Sequence, residues 1–148
     1  MNEHMELQFP ELAASSDKLE IENELAPLSD EEISRLETRL NIQLPASYKR
    51  FLKCTKGFSA FGGSVQLNEE HPFFHTTGST TGMLCFADFF MEGDGDQVLF
   101  DVTQKAENCE YPVYYYDHEA NPPNVRKIAN DFEQWLNEFP TYEAFNQE

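Results

Sequence analysis

The stretch LNIQLPASYKRFL, residues 40–52, decides the fold. It sets a proline between two segments that both read as helix. Pro45 has no N–H to give a helix interior, yet it is favoured in a helix's first turn. The residue before it, Leu44, is pushed toward an extended backbone. NIQLP therefore reads as a corner and ASYKRFLKCTK as a new helix. In that helix Tyr48, Phe51, Leu52 and Thr55 share one face, while Lys49, Lys53 and Lys56 share another. Gly57 follows, where a left-handed C-cap belongs.

Upstream, Ser29-Asp30-Glu31-Glu32 is a capping box, with Ser29 as N-cap and Glu32 three residues on. Ile33, Leu36 and Leu40 then recur at helical spacing, so a helix is expected from Asp30 to about Leu40. Residues 1–27 read as an acidic arm or an extra helix, interrupted at Pro10. Downstream the period changes. GGSVQL, GMLCFADFF (82–90), QVLFDV (97–102), PVYYYDH (112–118) and NVRKI (124–128) are strand candidates bounded by Gly, Asp and Pro. Asn130 is expected to cap a last helix, with Glu133 three residues later, an apolar stripe of Phe132, Trp135, Leu136 and Phe139, and Pro140 as its stop.

Helices, then strands, then one helix predict an α+β domain over residues 28–140, with a mostly antiparallel sheet and a tail at 141–148. In VYYYD, Val113 and Tyr115 face one way and Tyr114 and Tyr116 the other. That predicts a central strand with helices on one side. The other side is either covered by loops or open to a partner.

The 148 residues suffice for one core, and 40% of them are apolar, with thirteen Phe. The net charge is −17. Residues 28–56 carry six bases against four acids, whereas residues 57–148 carry sixteen acids against three bases. A field of that sign repels phosphate backbones and anionic lipid, so neither nucleic acid nor a membrane surface is an expected partner. It attracts cationic proteins and speeds encounter with them; the bland reading is solubility alone. Cys54, Cys85 and Cys109 form no C-x-x-C pair, and reduced thiols in a cytoplasmic protein are the simplest reading. No secretory signal and no apolar run long enough for a membrane span is found.

Catalytic and metal patterns fail at defined positions. EGDGDQVLFD resembles a calcium loop, with Glu92, Asp94 and Asp96 at positions 1, 3 and 5. The required glycine at position 6 is Gln97 and the glutamate at position 12 is Thr103, so a solvated turn is expected. His71 and His75 stand four apart, but Pro72 and the lack of an H-E-x-x-H pattern argue against a metal. Phe73 and Phe74, beside Glu69 and Glu70, belong either to a partner surface or to the core edge. No nucleophile elbow or phosphate loop is present. Neither an enzyme nor a cofactor is expected.

The corner resembles that of the SMI1/KNR4 family, also called the SUKH superfamily. The family's helix with a Leu-Glu pair, its Leu-Pro corner, its Y-k-x-F-L helix and its glycine read here as Leu36-Glu37, Leu44-Pro45, Tyr48-Lys49, Phe51-Leu52 and Gly57. GDQVLFD, PVYYYDHE and VRKIANDFEQWL are similar to its later strands and closing helix. Where the family often has Asn-Gly-Gly, this chain has Lys56-Gly57-Phe58, with Gly62-Gly63 further on.

The resemblance implies a domain that works by binding. Many bacterial members are immunity proteins that neutralise a toxin domain, often a nuclease or deaminase; fungal members resemble regulators of cell-wall assembly and signalling. A toxin acting on nucleic acid presents a basic surface, which an anionic inhibitor can block. The residues expected to do this are an acidic turn of Glu92, Asp94 and Asp96, a second of Asp117 and Glu119, and Tyr114 and Tyr116 between them. The expected partner is a cognate basic toxin domain, with a regulatory adaptor role as the alternative. The sequence leaves the oligomeric state open.

Overall fold

A computed structural model of the chain describes residues 3–14, 21, 24–60, 63–67, 83–88, 97–103, 108–117 and 124–138. The elements run α1 (Glu3–Gln8), α2 (Pro10–Ala14), α3 (Asp30–Leu40), α4 (Ala46–Leu52), β1 (Gly57–Ala60), β2 (Gly63–Gln66), β3 (Met83–Asp88), β4 (Gln97–Asp101), β5 (Val113–Asp117), β6 (Asn124–Ala129) and α5 (Phe132–Glu138).

Helix α3 starts as its sequence dictates. The Glu32 N–H donates to Ser29 Oγ at 3.1 Å, and the Ser29 N–H donates to Glu32 Oε1 at 3.2 Å. Ile33, Leu36 and Leu40 are buried. The left-handed residue that closes a helix is Asn41 (φ 57°, ψ 37°), not Gly57. Asn41 donates to the Thr38 carbonyl and Ile42 to the Glu37 carbonyl, which is the Schellman pattern.

The corner after it is clamped from two sides. Glu37 Oε2 accepts the Leu44 N–H at 2.8 Å, satisfying a donor that the turn leaves without a backbone partner. Pro45 then precedes α4 with φ −57°. No side chain of α4's own N-terminus caps it. Instead the segment 108–112 does so from 63 residues away. Glu110, buried, accepts the Ser47 N–H at 2.8 Å and the Ser47 hydroxyl at 2.7 Å. The Cys109 carbonyl accepts the Ala46 N–H at 3.0 Å, and the Tyr111 hydroxyl donates to the Gln43 carbonyl at 2.7 Å.

Gly57 has a different task from the one its position suggests. It opens β1 and pairs with Gln66. A Cβ there would press into the Val65 carbonyl oxygen, well inside contact distance. The glycine is needed for close strand approach. The sequence assigns no strand to 57–60, because GFSA holds one strong strand former, Phe58.

Among the described residues the strands form one sheet in the order β1-β2-β3-β4-β5-β6, every neighbouring pair antiparallel. The meander keeps neighbours in sequence adjacent in space. A bulge between Cys85 and Ala87 turns two successive residues, Phe86 and Ala87, toward the helices, where both are buried.

One face of the sheet carries the main core. Tyr48 of α4, fully buried, stands at its centre. Its ring lies 5.0 Å from Phe132, 5.4 Å from Phe100, 5.9 Å from Phe51 and 6.1 Å from Phe86. Phe86 stacks on Phe100 at 4.1 Å and meets Trp135 edge-on at 5.1 Å. Edge-to-face geometry adds to area burial in such clusters.

Helix α5 buries Phe132, Trp135 and Leu136, as its stripe predicts. Its cap falls one residue later than expected. Asp131 accepts the Gln134 N–H at 2.8 Å, and Gln134 reaches back to the Asn130 N–H at 2.7 Å. Glu133, expected in the cap, instead pairs with Arg50 of α4. Phe139 and Pro140 lie outside the described residues.

In the acidic N-terminal segment, Pro10 begins α2 and is tolerated there for want of a needed N–H. Met5, Phe9 and Leu12 are buried in the main core, each worth about 1.5–3 kcal/mol of transfer free energy. No described helix is long and apolar enough to cross a membrane.

Candidate partner-binding face

The opposite face of the sheet is built from strand register. Residues directly opposed across an antiparallel pair share a face. Cys85, Leu99, Tyr114 and Lys127 therefore form one row across β3 to β6, and Gln97, Tyr116 and Val125 form the next. Met83, Cys85 and Leu99 make a small buried floor. Tyr114, Tyr116 and Val125 pack around it but keep partial exposure, and Lys127 is exposed. This settles the alternation expected within VYYYD. Val113 and Tyr115 point into the helical core, and Tyr114 and Tyr116 point away from it.

These rings are held in place by their strand. β5 is bonded on both sides, to β4 and to β6. A tyrosine with few rotatable bonds on a doubly paired strand loses little freedom when a partner covers it. Arg126, on β6, places its guanidinium 4.8 Å from the centroid of the inward Tyr115 ring.

β3 ends at Asp88 and β4 begins at Gln97, its register partner; β5 ends at Asp117 and β6 begins at Asn124, likewise paired. These four residues lie at one end of the sheet. Asp117 is the member of the expected acidic set that the structure describes. Glu92, Asp94, Asp96 and Glu119 lie outside the described residues, as do Glu69, Glu70, His71, Phe73, Phe74 and His75. Among the described residues no three His, Cys, Asp or Glu side chains gather as a metal site requires.

Two members of the expected basic stripe, Lys49 and Lys53, are turned onto the molecule's own acids, as is Arg50. Lys49 lies 3.5 Å from Glu37, Lys53 lies 3.0 Å from Asp30, and Arg50 pairs with Glu133. A shallow groove of about 360 Å³ runs between α3 and α4 beneath these pairs. Cys54 and Cys85 are buried free thiols and Cys109 is an exposed one. Burial raises the Cys54 pKa, with Arg50 pulling the other way.

Sequence reasoning missed Lys127 as a member of the face, because a strand's register with its neighbour has no local signature. It missed Glu110 for the same reason: nothing near residue 110 announces a helix 63 residues upstream.

The model of the SMI1 / KNR4 family (SUKH-1) matches residues 27–138. No curated protein matches the chain.

Proposed function

The chain belongs to the SMI1 / KNR4 family (SUKH-1), and from that premise we propose that it is an immunity protein, neutralising a bacterial toxin domain by covering that domain's basic active-site surface. The observation that carries the reading is the pair Tyr114 and Tyr116, half-exposed on a rigid sheet face beside a buried apolar floor. Aromatic anchors of this kind supply most of the affinity in protein interfaces. The net charge of −17 supplies the second requirement. It draws a basic nuclease or deaminase domain in and raises the association rate.

Asp117, at the sheet end nearest Tyr116, and Glu92, Asp94, Asp96 and Glu119 in the adjoining connections are assigned to the acidic rim. The cations of α4 already have acidic partners, which fits a protein that mimics a phosphate chain better than one that binds it. The reading requires no bond to be made or broken and no cofactor.

The test is protection together with salt. Cells expressing the toxin domain encoded beside this chain should survive when the chain is co-expressed. Association of the two purified proteins should slow steeply as ionic strength rises through about 0.1 M, where the Debye length falls to about 10 Å. Absence of protection would sink the reading; protection with a salt-indifferent on-rate would remove the acidic rim from it.

A further inference from the structure

Residues 27–138 match the family, so α1 and α2 stand outside the shared domain. Their buried side chains nonetheless reach the main core. Met5, Phe9 and Leu12 fall at i, i+4 and i+7, the anchor spacing of a helix laid into a groove. The backbone keeps that phase through the junction. Phe9 N–H donates to the Met5 carbonyl at 2.8 Å, and Ala13 N–H to the Phe9 carbonyl at 3.1 Å. Glu6, Leu7, Gln8 and Glu11 point to solvent, so the segment is amphipathic.

The receiving surface is specific. α1 lies against α4 and α2 against α5. The Phe9 ring meets Phe51 of α4 edge-on at 6.1 Å, and the Arg50 guanidinium stands 5.0 Å from its centroid. Arg50 also pairs with Glu133 of α5, so Phe9 sits where the two helices are tied together. Helices of six and five residues do not persist alone in water. The groove orders them.

From this we infer that the α4–α5 face is a helix-accepting groove, and that residues 3–14 are its tethered and detachable occupant. The inference is independent of the toxin reading. It rests on anchors at the far side of the core from Tyr114 and Tyr116.

The probe is a labelled peptide of residues 1–20, and the protein is the full chain carrying F9A and L12A. In the wild-type chain the tethered segment competes at an effective concentration of order mM, so the peptide binds poorly. The double variant, its own anchors removed, should bind the peptide saturably and at least ~10-fold tighter than wild type does, and a peptide carrying F9A should fail. A folded double variant that binds no better than wild type would overturn the inference. If the variant does not fold, hydrogen exchange on the wild-type chain decides. Amides of 3–14 should exchange through an opening that leaves β3–β5 protected; exchange only together with those strands would overturn it equally.

Discussion

The two faces of the sheet are filled by different means. On the helical face, Phe86 and Phe100 meet rings from α4 and α5, and both are fully buried, as are Val113 and Tyr115 beside them on the same face. On the other, Leu99 is also fully buried, but the tyrosines around it are only partly buried. Interiors packed to crystal-like density respond to the loss of any ring. A half-exposed ring is cheap to remove and costly to lose only where a partner covers it. The helical face therefore sets the fold, and the outer face, which the proposal assigns to binding, is where change is tolerated.

The largest effect should come from the helical side. Phe132 touches Tyr48, Phe51, Phe86 and Phe100 within 6.0 Å. Its replacement by alanine should lower unfolding free energy by ~3–5 kcal/mol, read as a fall in the urea midpoint at constant slope. A loss below about 1 kcal/mol would mean that the ring cluster is not the core of the fold.

Next is the clamp that joins the corner to segment 108–112. Glu110→Ala leaves the Ser47 N–H and hydroxyl without their acceptor and should cost ~1–3 kcal/mol. Glu110→Gln, which keeps an acceptor oxygen, should cost less. Equal losses in the two variants would mean that the side chain acts by packing alone.

A smaller effect is written in pH. The Tyr111 phenol is pushed up by burial, then by the Glu37 carboxylate and by Cys109. The folded state thus holds this proton more tightly than the unfolded one. That share of stability is intact below the ordinary phenol value of about 10 and is lost as pH rises through the raised one. Cys54, also raised by burial, gives the same sign starting lower, above about 8.5. Tyr111→Phe should flatten the alkaline fall beyond about pH 10 and leave the part below it. An unchanged profile would contradict the assignment.

Much of this was legible beforehand. The cap at Ser29, the break at Pro45, the strands at 83–88, 97–101 and 113–117, and the split of VYYYD between two faces all follow from local pattern, and the structure has them. What local pattern could not supply was partnership at a distance. Gly57 looked like a helix cap because it follows a helix; it is a strand residue because β2 passes close by. The cap of α5 is Asp131, with Gln134 three residues on, while Glu133 pairs with Arg50 of the distant α4. Of the site, the outward tyrosines were readable from alternation. Lys127 was not, since its place depends on a register that skips Ile128 of β6, opposite the step from Val113 to Tyr114.

The most direct measurement separates the two faces in one protein. Tyr114→Ser and Tyr116→Ser should be combined, and both unfolding free energy and affinity for the proposed basic toxin partner measured. Stability should change by no more than ~1 kcal/mol per tyrosine, while affinity should fall ~1,000-fold, as two anchors of ~2 kcal/mol each would give before any coupling. Unchanged affinity in a stably folded double variant would contradict the assignment of this face to binding.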